Sequence, residues 1–359
     1  MTWVYDPLPA PSAFDVKARR FASPVAIWLW SLAVLVFLMV VVGGATRLTE
    51  SGLSITEWKP LTGVIPPLSA AAWQAEFDNY KRIPQYSEVF PNMDLAGFKF
   101  IYFFEWSHRL LGRMIGVATI LPLIYFWARK MLPASLKPKL IGVLALGALQ
   151  GFVGWWMVKS GLAGRIEVAQ ERLAIHLLLA SLTFAALVWL AATQRRKPPA
   201  VPAPPPALLA LAITLVVAVL AQIGLGALVA GLRAGRVYNS WPLIEGRLIP
   251  PLDQLTLLQP LWRNFVDNLL TVQFQHRLVA YALLGFAVAQ AIYVLFAAAP
   301  GGVRRRAIAL AGLIAAQAAI GITTLVLAAP LWAALSHQAF AMIVLGMAVA
   351  HAQALSQGR

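Results

Sequence analysis

A chain of 359 residues that is 60% hydrophobic and only 12% charged, with a mean hydropathy of +0.73, is solvated mostly by lipid and reads as a polytopic membrane protein. Its net charge of +15 would suit nucleic acid in a soluble protein, but the basic residues stand in short clusters between apolar runs and report topology, so nucleic acid is discounted. No cysteine is present, which removes disulfides, thiolate catalysis, zinc-thiolate sites and iron-sulfur clusters and leaves histidine and carboxylate to carry any chemistry.

Residues 1–23 are Pro-rich and mix Asp6 and Asp15 with Lys17, Arg19 and Arg20. They match neither a cleavable signal, which needs an apolar core, nor an acid-poor presequence, and are expected to form a cytoplasmic tail. Apolar runs follow at 24–46, 98–128, 139–158, 172–193, 206–232, 268–297, 305–328 and 331–355. Each is near or above the roughly 20 residues that a spanning helix needs. Basic clusters fall in the tail, at Arg129, Lys130, Lys137 and Lys139, at Arg195, Arg196 and Lys197, and at Arg304, Arg305 and Arg306. With eight spans all four clusters share one side, which the positive-inside rule makes the cytoplasm, so both termini are expected there. Only Ala329-Pro330 separates the last two spans, which predicts a tight turn with Pro330 at the start of the eighth helix.

The Pro-rich stretch 198–206 is too stiff to continue a helix and divides the chain into a first half, 24–197, and a second half, 207–359. The halves read as copies. Gly226, Gly235 and Trp241 follow Gly43, Gly52 and Trp58 by 183, His276 follows His108 by 168, Gln317 and Gly321 follow Gln150 and Gly154 by 167, and His337 follows His176 by 161. An even number of spans per half inserts both copies the same way up. The expected fold is an all-α polytopic membrane protein, eight transmembrane helices in two tandem four-helix bundles with pseudo-two-fold symmetry along the membrane normal.

All five histidines fall in predicted spans, and four form the repeat: His108 and His176 in spans two and four, His276 and His337 in spans six and eight. Each follows its predicted helix start by roughly 4 to 10 residues, or about 6 to 15 Å, which puts the four imidazoles in the outer leaflet. Two imidazoles per half, on different helices at matching depth, suit a haem iron ligated from both faces. A single intramembrane histidine is more often a packing residue, and a proton relay or a bare zinc or copper site competes with the haem reading. Bare metal is disfavoured because no cysteine and few nearby carboxylates can complete a shell. His351, 14 residues beyond His337 and without a first-half counterpart, reads as structural.

Arg109, Arg113 and Arg277 lie beside these histidines, where guanidinium forks could pair haem propionates, or else bond headgroups and loop carbonyls. Glu105 stands one turn before His108 on the same face, while the second half carries Gln273 at that place. A carboxylate there can act as a general base or stabilise positive charge at the edge of the macrocycle, and an ion pair with Arg109 is the bland alternative. Gln273 has similar shape and cannot take a proton, so one half looks built to react and the other to hold.

The chain closely resembles the haem A synthases of the cysteine-free bacterial and mitochondrial type. The resemblance rests on the stretch from Gly43 to Ser54, on Glu105-Trp106-Ser107-His108-Arg109 and on Arg172 to Leu177. It continues in Gly231 to Gly235, Tyr238-Asn239-Ser240-Trp241-Pro242 and Gln275-His276-Arg277. It implies oxidation of a ring methyl of haem O to a formyl group, with oxygen from water, for terminal oxidase assembly. Carried over by position, it makes Glu105 catalytic, His108, His176 and Arg109 the substrate-haem residues, and His276, His337 and Arg277 the holders of a haem b cofactor. It further implies a bacterial cytoplasmic membrane location, a prenylated haem substrate, contact with membrane lipid, a haem O synthase and an electron-transfer partner, with a homo-oligomer as a further expectation. Some bacterial members carry a cysteine pair in an outer loop; here a thiol relay is ruled out. The outer loop from Leu48 to Gly97, longer than its second-half partner, is expected to cover the reactive site with defined turns, marked by Ser51-Gly52-Leu53-Ser54 and Pro66-Pro67. The alternative function is a dihaem b-type electron carrier that modifies neither haem, and a haem transporter is a third.

Overall fold

The computed structural model describes residues 23–59, 62–162, 164–194, 205–297, 299 and 301–357. The predicted tail up to residue 22, the basic triplet Arg195-Arg196-Lys197 and the Pro-rich stretch from 198 to 204 lie outside the described residues. Among the described residues, eight helices are long and apolar enough to cross a membrane. We label them α1 (Pro24–Leu48), α2 (Leu95–Ala128), α3 (Lys137–Leu162), α4 (Gln170–Thr193), α5 (Pro206–Gly231), α6 (Leu269–Phe296), α7 (Gly301–Val326) and α8 (Leu331–Ser356). They coincide with the eight predicted runs, and no end moves by more than four residues.

Local chemistry explains where they begin. Ser23 caps α1, its hydroxyl accepting from the Ala26 N–H at 3.1 Å, and Pro24 takes the first helical position, where a missing N–H costs nothing. Asp94 caps α2 through Gly97 N–H at 2.8 Å, and Asn268 caps α6 through the Leu270 and Thr271 amides. The tight turn expected before Pro330 is present: Ala328 and Ala329 both adopt left-handed backbone, and the Ala329 N–H closes back on the Thr324 carbonyl at 2.8 Å. Pro330 caps α8, which begins at Leu331.

Helix α1 packs on α2 and α4, and α3 packs on α4; in the second half α5 packs on α6 and α8, and α7 packs on α6 and α8. Across the halves α4 meets α5 and α8, and α1 meets α8. The central core is built there, from Leu29 and Leu32, Leu187 and Ala191, Leu215, Leu345 and Ala348. The outward faces are apolar and exposed, with Phe100, Phe103, Leu121 and Ile124 on α2 and Phe152 on α3, as a helix in lipid requires. Each buried leucine is worth about 2 kcal/mol against water, but in lipid the gain comes from packing, so small residues at crossings matter more.

The first long loop has the defined structure expected of it, with helices at Ala70–Tyr80 and Pro84–Val89. Its aromatic core joins Phe77, Tyr80 and Tyr86 to Phe98 and Tyr102 of α2, the Phe77 and Phe98 rings stacking at 5.0 Å. The first turns of α2 therefore run into this loop layer. That is why the helix starts three residues earlier than its hydropathy indicates, and why His108 lies 13 residues beyond Leu95.

Candidate active site

Helices α2, α4, α6 and α8 each carry one repeated histidine, half-buried, and each imidazole rests against a glycine of the preceding helix. A Cβ on Gly43 would stand 2.9 Å from His108 Cε1, on Gly154 2.9 Å from His176 Cε1, on Gly226 3.1 Å from His276 Cε1 and on Gly321 2.7 Å from His337 Cε1. Glycine gives the imidazole room at such close approach. Four of the six glycines that marked the repeat in the sequence are thus the surfaces on which the four rings lie.

Three of the four histidine turns are tied to the helix before them by glutamine. Gln150 Nε2 donates to the His176 main-chain carbonyl at 3.1 Å, Gln222 to that of His276 at 3.0 Å and Gln317 to that of His337 at 2.9 Å. Among the described residues no group of three or more His, Cys, Asp or Glu could hold a bare metal ion. Two imidazoles per half, with too few carboxylates near them to complete a metal shell, instead fit an iron whose remaining ligands come from a porphyrin. The Nδ1 atoms of His108, His176 and His337 are buried without a hydrogen-bond partner, each turned toward the glycine of the preceding helix.

Glu105 is 3% exposed, and both of its oxygens are engaged. Ser54 Oγ and the Ile55 N–H each donate to Oε2 at 2.8 Å, while Arg109 donates to Oε1 from Nη2 at 2.6 Å and from Nε at 3.1 Å. The Arg109 guanidinium also reaches the carbonyls of Ile55 and Glu57 in the first long loop. Of the roles the sequence leaves open for Arg109, the structure shows the ion pair with Glu105 and the loop carbonyls. Four residues separate the two on one helix, and a buried carboxylate takes the nearest cation. Arg113 donates to the Lys59 carbonyl at 2.8 Å, one turn further on. Lys59 itself is gripped by Glu57 and Glu76 at 2.7 Å each, and those hydrogen bonds hold its ammonium above the ordinary lysine range.

The second half answers with a different pattern. Gln273 and Arg277 both donate to the Tyr238 carbonyl at 3.1 Å, and Tyr238 is the counterpart of Ile55 at the offset of 183. Without a carboxylate on its own helix, Arg277 keeps buried Nε and Nη1 atoms that have no hydrogen-bond partner. Val237 stands where Ser54 does, so no hydroxyl faces Gln273. His351 is fully buried in α8 with both ring nitrogens lacking a hydrogen-bond partner.

Where the halves meet, Arg47 pairs with Glu167 of its own half at 2.6 Å and donates to the Gly231 carbonyl of the other at 3.2 Å, and Arg233 crosses to pair with Glu50 at 2.8 Å and with Glu167. Behind Glu50, Gln85 donates to the Glu50 carbonyl and accepts from Tyr80, whose hydroxyl burial pushes above its ordinary range, so that it stays a donor. The sequence marks Ser54 as part of a turn and gives no role to its hydroxyl, to the Ile55 amide, to the glutamine ties or to this ion-pair cluster. The glycine and glutamine offsets were the available signal for some of them; Ser54 and Ile55 lie about 50 residues from Glu105 and left none.

Residues 26–349 match the COX15-CtaA family, described as cytochrome oxidase assembly protein. The chain is 68% identical over 355 residues, 99% of each protein, to a heme A synthase of Beijerinckia indica subsp. indica. It is 55% identical to a heme A synthase of Methylobacterium sp. (strain 4-46), over 97% of this chain and 96% of that protein. It is 53% identical to one of Rhodopseudomonas palustris (strain BisA53), over 92% and 91%. On a family match across most of the chain, beside full-length relatives this similar, the chain belongs to the COX15-CtaA family of cytochrome oxidase assembly proteins.

Proposed function

We propose that this multi-pass membrane oxidoreductase oxidises a ring methyl of haem O to the formyl group of haem A, with the oxygen supplied by water, and that the reaction takes place in the half that carries Glu105. The observation that carries the reading is the buried Glu105, gripped on both oxygens one turn from His108, against Gln273 at the same place of the other half. Conversion of methyl to formyl with one water releases four protons and four electrons. A buried carboxylate one turn from a histidine that would hold the substrate is the group in this chain suited to take those protons. Ser54 is its movable partner: a hydroxyl can rotate away to open one lone pair of Oε2, while the Ile55 amide on the same oxygen and Arg109 on Oε1 keep the carboxylate in place.

His108 and His176 hold the substrate haem, and His276 and His337 hold a haem b. When bound, haem b supplies one-electron redox chemistry. Arg277, with two free buried donor atoms, suits a propionate of haem b, and the reading gives Arg109 the positioning of Glu105 instead of a propionate contact. The proposal keeps a cytoplasmic tail at 1–23, halves at 24–197 and 207–359 joined by 198–206 and related by a pseudo-two-fold along the membrane normal, and both termini in the cytoplasm. Partners on this reading are a haem O synthase that supplies the prenylated substrate and an electron-transfer protein. The electron-carrier alternative has no support among the relatives, which are named for synthesis of haem A. Extraction and identification of the haems bound to purified protein tests the reading: b together with O or A supports it, and b alone from cells making haem O overturns it.

A further inference from the structure

Met39 and Gln222 are counterparts at the offset of 183, and they differ at the point where a histidine turn is tied to its neighbour. Gln222 of α5 holds the His276 carbonyl of α6 at 3.0 Å, and the turns of His176 and His337 have glutamine ties of the same kind. His108 has none, because Met39 of α1 offers a thioether with no N–H to donate. The next turn of α2 differs as well. Gly112 stands where the second half has Ala280, and a Cβ on Gly112 would lie 3.1 Å from Met39 Cε, so the flexible methionine fills the room that the alanine methyl takes in the other half. On its other flank α2 scarcely touches α3, whereas α6 packs closely along α7.

We propose that Met39 and Gly112 are specificity-determining residues that make the His108 turn the releasable one, so that the first half exchanges its porphyrin while the Gln222 tie makes the second half keep its own. The inference rests on the proposed function for which half receives the substrate. A reacting site must let its product go, and a cofactor site must not. The two demands are opposed, and a single fold repeated twice meets both by varying the tie and not the ligand. Met39 acts through α2 and is a positioning residue for His108.

The test measures haem transfer to excess apomyoglobin from purified full-length protein, independently of turnover. In a His337→Ala background the first-half site is read alone, and in a His176→Ala background the second-half site. Met39→Gln is expected to slow loss from the first-half site about two- to tenfold, the range of one ordinary main-chain hydrogen bond, and Gln222→Met to hasten loss from the second by a like factor. Gly112→Ala should slow first-half loss too, and Met39→Leu, which keeps bulk without an amide, should leave it unchanged. Should Met39→Gln fail to fold, Gln222→Met still decides. Unchanged rates in Gln222→Met and in whichever first-half variants fold overturn the proposal. Rates that respond in a protein that leaves haem O unoxidised would sink the proposed function and leave the exchange asymmetry standing.

Discussion

Glu50 and Arg233 occupy counterpart positions of the repeat, 183 residues apart, and bond each other at 2.8 Å between Oε1 and Nη2. Both sit in left-handed backbone, with φ of 58° and 54°, at the loop ends of α1 and α5. Positions that two copies share have thus diverged to opposite charge and join the copies to each other. The pair is partly exposed, so its coupling should be modest. Glu50→Gln and Arg233→Gln should each lower the thermal midpoint in detergent, and the double variant should lose less than the sum, with a coupling of about 1 kcal/mol. Strict additivity would show that the pair contributes nothing.

Glu105→Gln copies the second-half residue onto the first. Haem content and absorption spectrum should match the parent, while haem A formation falls by at least about a hundredfold, the lower range for loss of a general base. Pigment extraction after incubation with haem O gives both quantities, and undiminished haem A output would remove Glu105 from the chemistry.

Ser54→Ala removes one of the two donors to Glu105 Oε2 and leaves the Ile55 amide and Arg109 in place. Turnover should drop about tenfold with little change in stability, since the remaining donors still satisfy the buried carboxylate. Arg109→Gln should behave otherwise. It strands a buried charge and detaches the loop at Ile55 and Glu57, so the midpoint should fall by the equivalent of about 3 kcal/mol. A Ser54→Ala variant as unstable as Arg109→Gln would contradict this division of roles.

Gly321→Ala puts a methyl 2.7 Å from His337 Cε1 and must displace the ring. The purified variant should lose most of its b-type spectrum, as His276→Ala and His337→Ala should. Gly312→Ala on the same helix meets no atom within 4 Å and should keep the spectrum while gaining up to about 1 kcal/mol of helix stability. An intact b-type spectrum in both His276→Ala and His337→Ala would reject the ligand assignment.

The sequence alone determined the eight spans, the tight turn before Pro330, the repeat, the four histidines and the contrast of Glu105 with Gln273. Each of these is written in hydropathy or spacing along one dimension, and lipid enforces it because a spanning helix must satisfy its own backbone. Only the tertiary structure decided that Arg109 turns to Glu105, that Ser54 and the Ile55 amide complete its grip, that the repeated glycines seat the imidazoles, and that Glu50 reaches Arg233. Apart from the Arg109–Glu105 pair, four residues apart on one helix, those contacts join positions 16 to 183 residues apart through helix crossings and loop paths, and no local periodicity encodes a crossing.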